Sequence, residues 1–141
     1  MTFDAEVANL NWLVDSFVRS IPGVIDAIVI SADGLLMAMS RGIEPAAGDQ
    51  LASVGAGLIS LAAGGSRCFD AGGVRQVIVE IEVGYMFFMG ISNGSLLAVI
   101  ANRDVDVAAT GYEMTMVCKR VGTALTPALM TEIGSTTNAR H

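Results

Sequence analysis

Histidine occurs once in this 141-residue sequence, as the final residue, His141. Mechanisms that need a positioned imidazole, the Ser/His/Asp arrangement among them, therefore have no candidate in the body of the chain. Lysine also occurs once, as Lys119, so no Gly-Lys-Ser/Thr phosphate loop is present. Gly55-Ala56-Gly57 falls inside a helical pattern and not between a strand and a helix. Glu80 and Glu82 share one face of a strand and are the pair closest to an acid/base or cation-binding arrangement. Lacking a third polar partner, they read as a solvated face or a subunit contact. Asp104-Val105-Asp106 looks like a metal motif, but carboxylates at a helix start are caps. Cys68 and Cys118 lie too far apart in sequence for a metal pair or a small secreted disulfide framework, and read as two buried reduced thiols. The expectation is a chain that is not an enzyme, with no cofactor and no metal.

Composition points the same way. Eight Lys and Arg against fourteen Asp and Glu give a net charge of −6, with no basic cluster, which argues against nucleic-acid binding through phosphate neutralisation. Hydrophobic residues make up 52% of the chain and charged ones 16%, too apolar for disorder and enough to require burial beyond an ordinary core. The uncharged window from Val83 to Asn102 is long enough for a membrane span. Asn93-Gly94 at its middle is instead the signal of a two-residue hairpin turn. The window from Leu51 to Ser66 is too short and too rich in Gly, Ala and Ser for a lipid-facing helix. Asp4 and Glu6 stand where a secretion signal carries Lys or Arg, so the expected location is cytoplasmic, with no direct membrane insertion.

These residues are placed by a short series of elements. Val7, Leu10, Val14, Phe17 and Ile21 recur at helical spacing, predicting a helix from Ala5 to Ser20 capped by Asp4 and ended by Pro22-Gly23. Val24–Ile30 and Leu35–Met39 flank Ala32-Asp33-Gly34 as a hairpin. A second helix is expected from Gln50 to Ala63, stopped by Gly64-Gly65, with a loop over Cys68–Gly73. Val74–Glu82 alternates as an edge strand, whereas Tyr85–Ile91 and Leu96–Ala101 are apolar throughout, as central strands covered on both faces are. A last helix, from Asp104 or Asp106 to Leu125, carries Val107, Gly111, Met114, Cys118, Val121 and Leu125 in one stripe. The expected fold is a single domain over residues 1–133, α/β in the sense of an α+β sandwich: a five-stranded antiparallel sheet between helices in the order αββαβββα. Gly134 to His141 is small and polar, the composition of a disordered tail.

On a helical wheel, Leu51, Val54, Leu58 and Leu61 of the second helix form the natural face for the sheet. Ala52, Gly55, Ala56, Ile59 and Ala63 form a shallow apolar arc beside it. Small residues let two helix backbones approach closely, so this arc is the candidate subunit contact. The edge strand, with Val77, Ile78 and Val79 at its centre, adds unpaired backbone groups that a symmetry mate would satisfy. The expected assembly is a homodimer.

Several segments together resemble the roadblock/LC7 domain from about Leu10 to Leu129. They are Ile21-Pro22-Gly23-Val24, Ser31-Ala32-Asp33-Gly34-Leu35, Gly84-Tyr85-Met86-Phe87 and Gly94-Ser95-Leu96-Leu97-Ala98-Val99. Leu10-Asn11-Trp12-Leu13, Val74-Arg75-Gln76, Gly111-Tyr112-Glu113-Met114 and Leu125-Thr126-Pro127 are similar to actinobacterial members found in conservon-type cassettes. The resemblance implies a homodimer working beside a small Ras-like GTPase and a membrane sensor histidine kinase, at the membrane when a partner recruits it. In relatives such as bacterial gliding-motility regulators, the dimer promotes hydrolysis or nucleotide exchange by the GTPase and hydrolyses nothing itself.

Two mechanisms are open for such a chain. Binding energy alone can favour the GTPase's hydrolytic arrangement, or an arginine finger can enter its site, for which Arg67 in the glycine-rich loop is the candidate. The alternatives in other classes are a structural adaptor joining a sensor kinase to partners, and a small-molecule sensor of PAS or GAF type. For the latter the central strands offer few convergent polar groups beyond Tyr85 and Asn93.

Overall fold

The structure, a computed structural model, describes residues 3–124 apart from residue 93. The expected tail, the end of the expected domain and Asn93 lie outside the described residues. Eight elements follow one another: α1 (Phe3–Ser20), β1 (Val24–Ile30), β2 (Leu36–Met39), α2 (Pro45–Cys68), β3 (Gln76–Ile81), β4 (Gly84–Gly90), β5 (Leu96–Asn102) and α3 (Val107–Ala124). The strands form one antiparallel sheet in the order β2-β1-β5-β4-β3, so β3 lies at an edge, as its alternation predicts.

The sheet separates two apolar layers. Ala27, Val29, Phe87, Leu97 and Val99 point towards α1 and α3, where Leu10, Val14, Phe17, Met114 and Val121 complete the larger core. Their neighbours Ile28, Ile30, Phe88, Leu96 and Ala98 point the other way, towards α2 and Ala52. This double coverage is why β1, β4 and β5 read as almost unbroken apolar runs.

Both tight hairpins are built alike. Gly34 N–H donates to Ser31 C=O at 2.9 Å and Ser31 N–H to Leu35 C=O at 2.8 Å; Gly94 N–H donates to Ile91 C=O at 3.0 Å and Ile91 N–H to Ser95 C=O at 2.7 Å. The two glycines hold φ of 84° and 89°. In each hairpin the bond that closes the loop joins residues four apart, a wider connection than the two-residue turn expected at Asn93-Gly94. At the start of α3, the Asp106 carboxylate accepts from Ala109 N–H at 3.0 Å, the N-cap contact foreseen for this carboxylate.

α2 differs most from the sequence reading. It begins at Pro45, where the missing N–H costs nothing at the first helical position, and it runs through Gly64-Gly65 to Cys68. Its stop is a backbone motif: Asp70 N–H donates to Arg67 C=O at 3.3 Å and Ala71 N–H to Ser66 C=O at 3.1 Å. Asp70 holds φ of 52°, so this is a Schellman end with aspartate in the left-handed position usually taken by glycine. Asp4, expected as the cap of α1, stands inside the helix, which already includes Phe3.

Candidate interaction surfaces

The two edges of the sheet are treated differently. Along β2, the Asn11 side-chain oxygen accepts from Met39 N–H at 3.0 Å, and Asp15 Oδ1 accepts from Arg41 N–H at 3.2 Å just beyond the strand. Arg19 and Arg41 approach the other Asp15 oxygen at 3.3 and 3.7 Å, which compensates a carboxylate in a residue only 8% exposed. Side chains of α1 therefore occupy the β2 edge, the usual defence against strand addition. Asn11 and Asp15 were not singled out in the sequence. The available signal was a polar pair four residues apart, beside the apolar stripe of α1.

The β3 edge carries no such cover among the described residues. Only its end is tied down, where Arg103 donates to Ile81 C=O at 3.2 Å and to Glu82 C=O at 3.1 Å and pairs with Glu80 Oε2 at 3.2 Å. Glu80 is thus the partner of an exposed arginine and is not brought together with Glu82 as an acid/base pair. Val77 and Val79 turn towards α2 and are half-buried, while Ile78 stays 41% exposed on the opposite face.

On α2 both apolar arcs contribute to the contact with the sheet. Ala52 and Gly55, assigned in sequence to the subunit contact, are buried against the chain's own sheet. A Cβ on Gly55 would come within 2.8 Å of Ile30 Cδ1, so only a glycine lets the helix approach this closely. Ile59 packs half-buried on the same layer; Ala56 and Ala63 are also half-buried, with Ala56 Cβ lying 3.3 Å from where a Cβ on Gly34 would stand. Val54 and Leu61, assigned in sequence to the sheet, are exposed, Leu61 at 76%. Val54 and Leu61 are the exposed large apolar residues of α2, whereas Leu51 and Leu58 pack half-buried towards the sheet, as the sequence reading places them. Ala52 and Gly55 make the closest approach to the sheet, with Leu51, Leu58 and Ile59 packed beside them.

Arg67 lies in the last turn of α2 and not in a loop, exposed and with its guanidinium 3.7 Å from where a Cβ on Gly64 would stand. Cys68 is exposed at the same helix end, against the expectation of burial, whereas Cys118 is buried and its thiol is pushed up to about 11 by desolvation. Among the described residues no group of three or more His, Cys, Asp or Glu could hold a metal ion, and no helix is long and apolar enough to cross a membrane.

An αββαβββα chain whose antiparallel sheet is covered by one helix on one face and two on the other, with one capped and one open edge, belongs to the class of small α+β sandwich domains. The family model for the Roadblock/LC7 domain matches residues 10–101, and the chain belongs to that family. It is similar to a solved Roadblock/LC7 domain from Streptomyces avermitilis at 38% identity, over 79% of this chain and 92% of that one, with a TM-score of 0.75. MglB of Myxococcus xanthus shares the fold at 12% identity, over 82% and 93% of the two chains, with a TM-score of 0.74. An MglB solved in a tetrameric arrangement does so at 11% identity, over 85% and 90%, with a TM-score of 0.76. Among curated proteins no match is found.

Proposed function

We propose that this chain is a homodimeric, non-enzymatic regulator or scaffold of a small Ras-like GTPase, and that it self-associates through the open β3 edge and the exposed face of α2. The observation that carries the self-association is the asymmetry of the sheet: α1 caps β2 with Asn11 and Asp15, while β3 keeps its edge open and Val54 and Leu61 of α2 stand exposed. Strand addition across a two-fold axis would pair β3 with its copy at Val77, Ile78 and Val79 and bring the two α2 helices together. Ala56, Ile59 and Ala63 flank that contact. The tetrameric arrangement of a solved MglB supports self-association in this fold.

The GTPase reading rests on the family. A dimer that binds one switch conformation better than the other shifts the GTPase towards it by that difference in affinity, so no catalytic group is required of this chain. Sedimentation velocity of the wild type should give a dimer, and Leu61→Glu combined with Ile78→Lys should give a folded monomer. Turnover of GTP by a candidate GTPase, measured with and without wild-type dimer, then tests regulation. A change with wild type that the monomeric variant loses supports it; unaltered nucleotide hydrolysis and exchange leave the adaptor role.

A further inference from the structure

On the face opposite α2, α3 packs against β4 and a trough remains between α3 and β3. Two adjoining hollows of about 600 and 500 Å³ form it, and Met89 and Thr115 line both. Half-buried Met89 and Ile78, 41% exposed, give it an apolar floor, and Tyr112 of α3 stands exposed on its wall.

The charges along this trough are of one sign. Arg75 lines the hollow beside the first turns of α3, and Lys119 lines the hollow beside its last turns. Both are exposed, and neither joins an ion pair among the described residues, whereas Arg19, Arg41 and Arg103 are each paired with a carboxylate of this chain. No Asp or Glu lines either hollow among the described residues, although acids outnumber bases by 14 to 8 in the chain as a whole. Unpaired cations at the two ends of an apolar floor suit a ligand that is anionic at its ends and apolar between them. A net charge of −6 opposes adhesion to an anionic membrane or to nucleic acid, whose many charges would meet the whole surface. A short acidic peptide places its few charges within the trough alone.

The dimensions set its spacing. The trough follows α3 from Val107 to Thr123, about 24 Å of helix, which is the span of about seven extended residues. Arg75 shares its hollow with Val107, Ala108 and Gly111, and Lys119 lies about ten residues further along α3, or about 15 Å. Four steps of extended chain cover about 14 Å, and an even separation puts both end residues and the one midway between them on the same face of the peptide.

We propose that this trough is a docking groove for an extended acidic peptide segment of a partner protein, with two acids four positions apart meeting Arg75 and Lys119 and an apolar residue midway between them resting on Met89 and Ile78. The inference goes beyond the GTPase reading and does not depend on it: strand pairing uses the backbone edge of β3, and the groove uses the sheet face opposite α2.

The test presents the full chain with a phage-displayed library of random nine-residue peptides, and the selected sequences are then measured as fluorescein-labelled peptides by anisotropy. Selection should enrich two acids four positions apart with an apolar residue midway. Arg75→Glu and Lys119→Glu should each weaken binding at least tenfold, and Thr115→Trp, which fills the junction of the two hollows, should do the same without a change of charge. Replacing one acid of the peptide by lysine should restore binding to one of the two charge-reversed variants and not to the other, which gives the direction of the peptide. All three positions are exposed, so far-ultraviolet circular dichroism and sedimentation should match wild type. No enrichment, the result for a groove already filled by a second copy or by this chain itself, would overturn the proposal. So would selected peptides that lack acids or bind all three variants as they bind wild type, and so would binding to phosphatidylserine vesicles, in place of peptides, that depends on Arg75 and Lys119.

Discussion

Gly55 of α2 stands so close to Phe88 of β4 that a Cβ on the glycine would lie 2.9 Å from Phe88 Cε1. The helix therefore rests on the sheet by backbone at this point, and Ala52, wholly buried one turn earlier, continues the contact. Replacing Gly55 with valine should force both Phe88 and Ile30 out of place and destabilise the fold by about 2 kcal/mol, the usual cost of overpacking a tight core. For a domain of this size that is a fall in Tm of about 6 °C. Gly65, with nothing near its Cβ position, is the contrast: Gly65→Ala should stabilise α2 by about 0.5–1 kcal/mol through helix propensity alone. Thermal unfolding of the two variants beside wild type checks both signs.

The end of α2 makes a second prediction. Asp70 occupies the left-handed region at φ 52° in the Schellman motif, a conformation that strains side chains other than glycine and, less severely, Asn and Asp. Asp70→Gly should remove that strain while keeping the Ala71-to-Ser66 and Asp70-to-Arg67 hydrogen bonds, raising stability by about 0.5–1 kcal/mol after the extra entropy of glycine in the unfolded chain is counted. A urea midpoint below that of wild type would contradict it.

How far the sequence could be read depended on how local the deciding contacts are. β1, β4 and β5 were legible because both faces of each are buried, and burial on two sides leaves a run of apolar residues that no other element of this length produces. The edge position of β3 was legible from Gln76, Glu80 and Glu82 on one side of the strand, although Ile78 breaks that pattern. The full orientation of α2 was not: Leu51 and Leu58 face the sheet as a wheel places them, but the closest seats are filled by size, with Gly48, Ala52 and Gly55 against the sheet and Val54 and Leu61 outside. Nor was the cap on β2, since Asn11 and Asp15 meet Met39 and Arg41 across a separation in sequence that no periodicity records. The end of α2 was misplaced at Gly64-Gly65 because glycine lowers helix propensity but stops a helix only where the backbone turns left-handed, which here happens at Asp70.

The cap on β2 carries its own consequence. Asn11→Ala would leave Met39 N–H without its partner in a partly buried position, at a cost of about 1–3 kcal/mol. It would also open the β2 edge, so the variant should both unfold at lower denaturant and aggregate more readily on partial heating, read by light scattering. Asn11→Asp keeps an acceptor at the same place and should restore most of the stability.

Arg67 offers a direct test of mechanism. In the last turn of α2 it stands exposed, with its guanidinium folded near Gly64 and with no acidic partner among the described residues. If self-association and binding alone act on the GTPase, Arg67→Ala should leave the stimulated rate within about twofold of wild type. Loss of an arginine finger instead costs about 10³-fold or more. Single-turnover GTP hydrolysis at saturating concentrations of the variant separates these outcomes, since a mere weakening of affinity would be overcome by saturation.

Cys118 and Cys68 differ enough in surroundings for pH to tell them apart. Cys118 is 8% exposed among the side chains of α3, and burial holds its thiol neutral up to about 11, against 9.0 for a free thiol. Cys68 is exposed and Cys118 buried with its thiol held neutral, so a disulfide reagent should modify Cys68 in the folded protein and reach Cys118 only after unfolding. The same shift sets a sign for stability. Below pH 9.0 the thiol is protonated in both folded and unfolded chains and contributes no pH dependence. Between 9.0 and about 11 the unfolded chain loses the proton while the folded chain retains it, so stability should fall as pH rises through that window. Cys118→Ala should flatten the decline at the cost of a small cavity, and denaturant titrations of the two proteins across this pH range would show whether the slope belongs to this thiol.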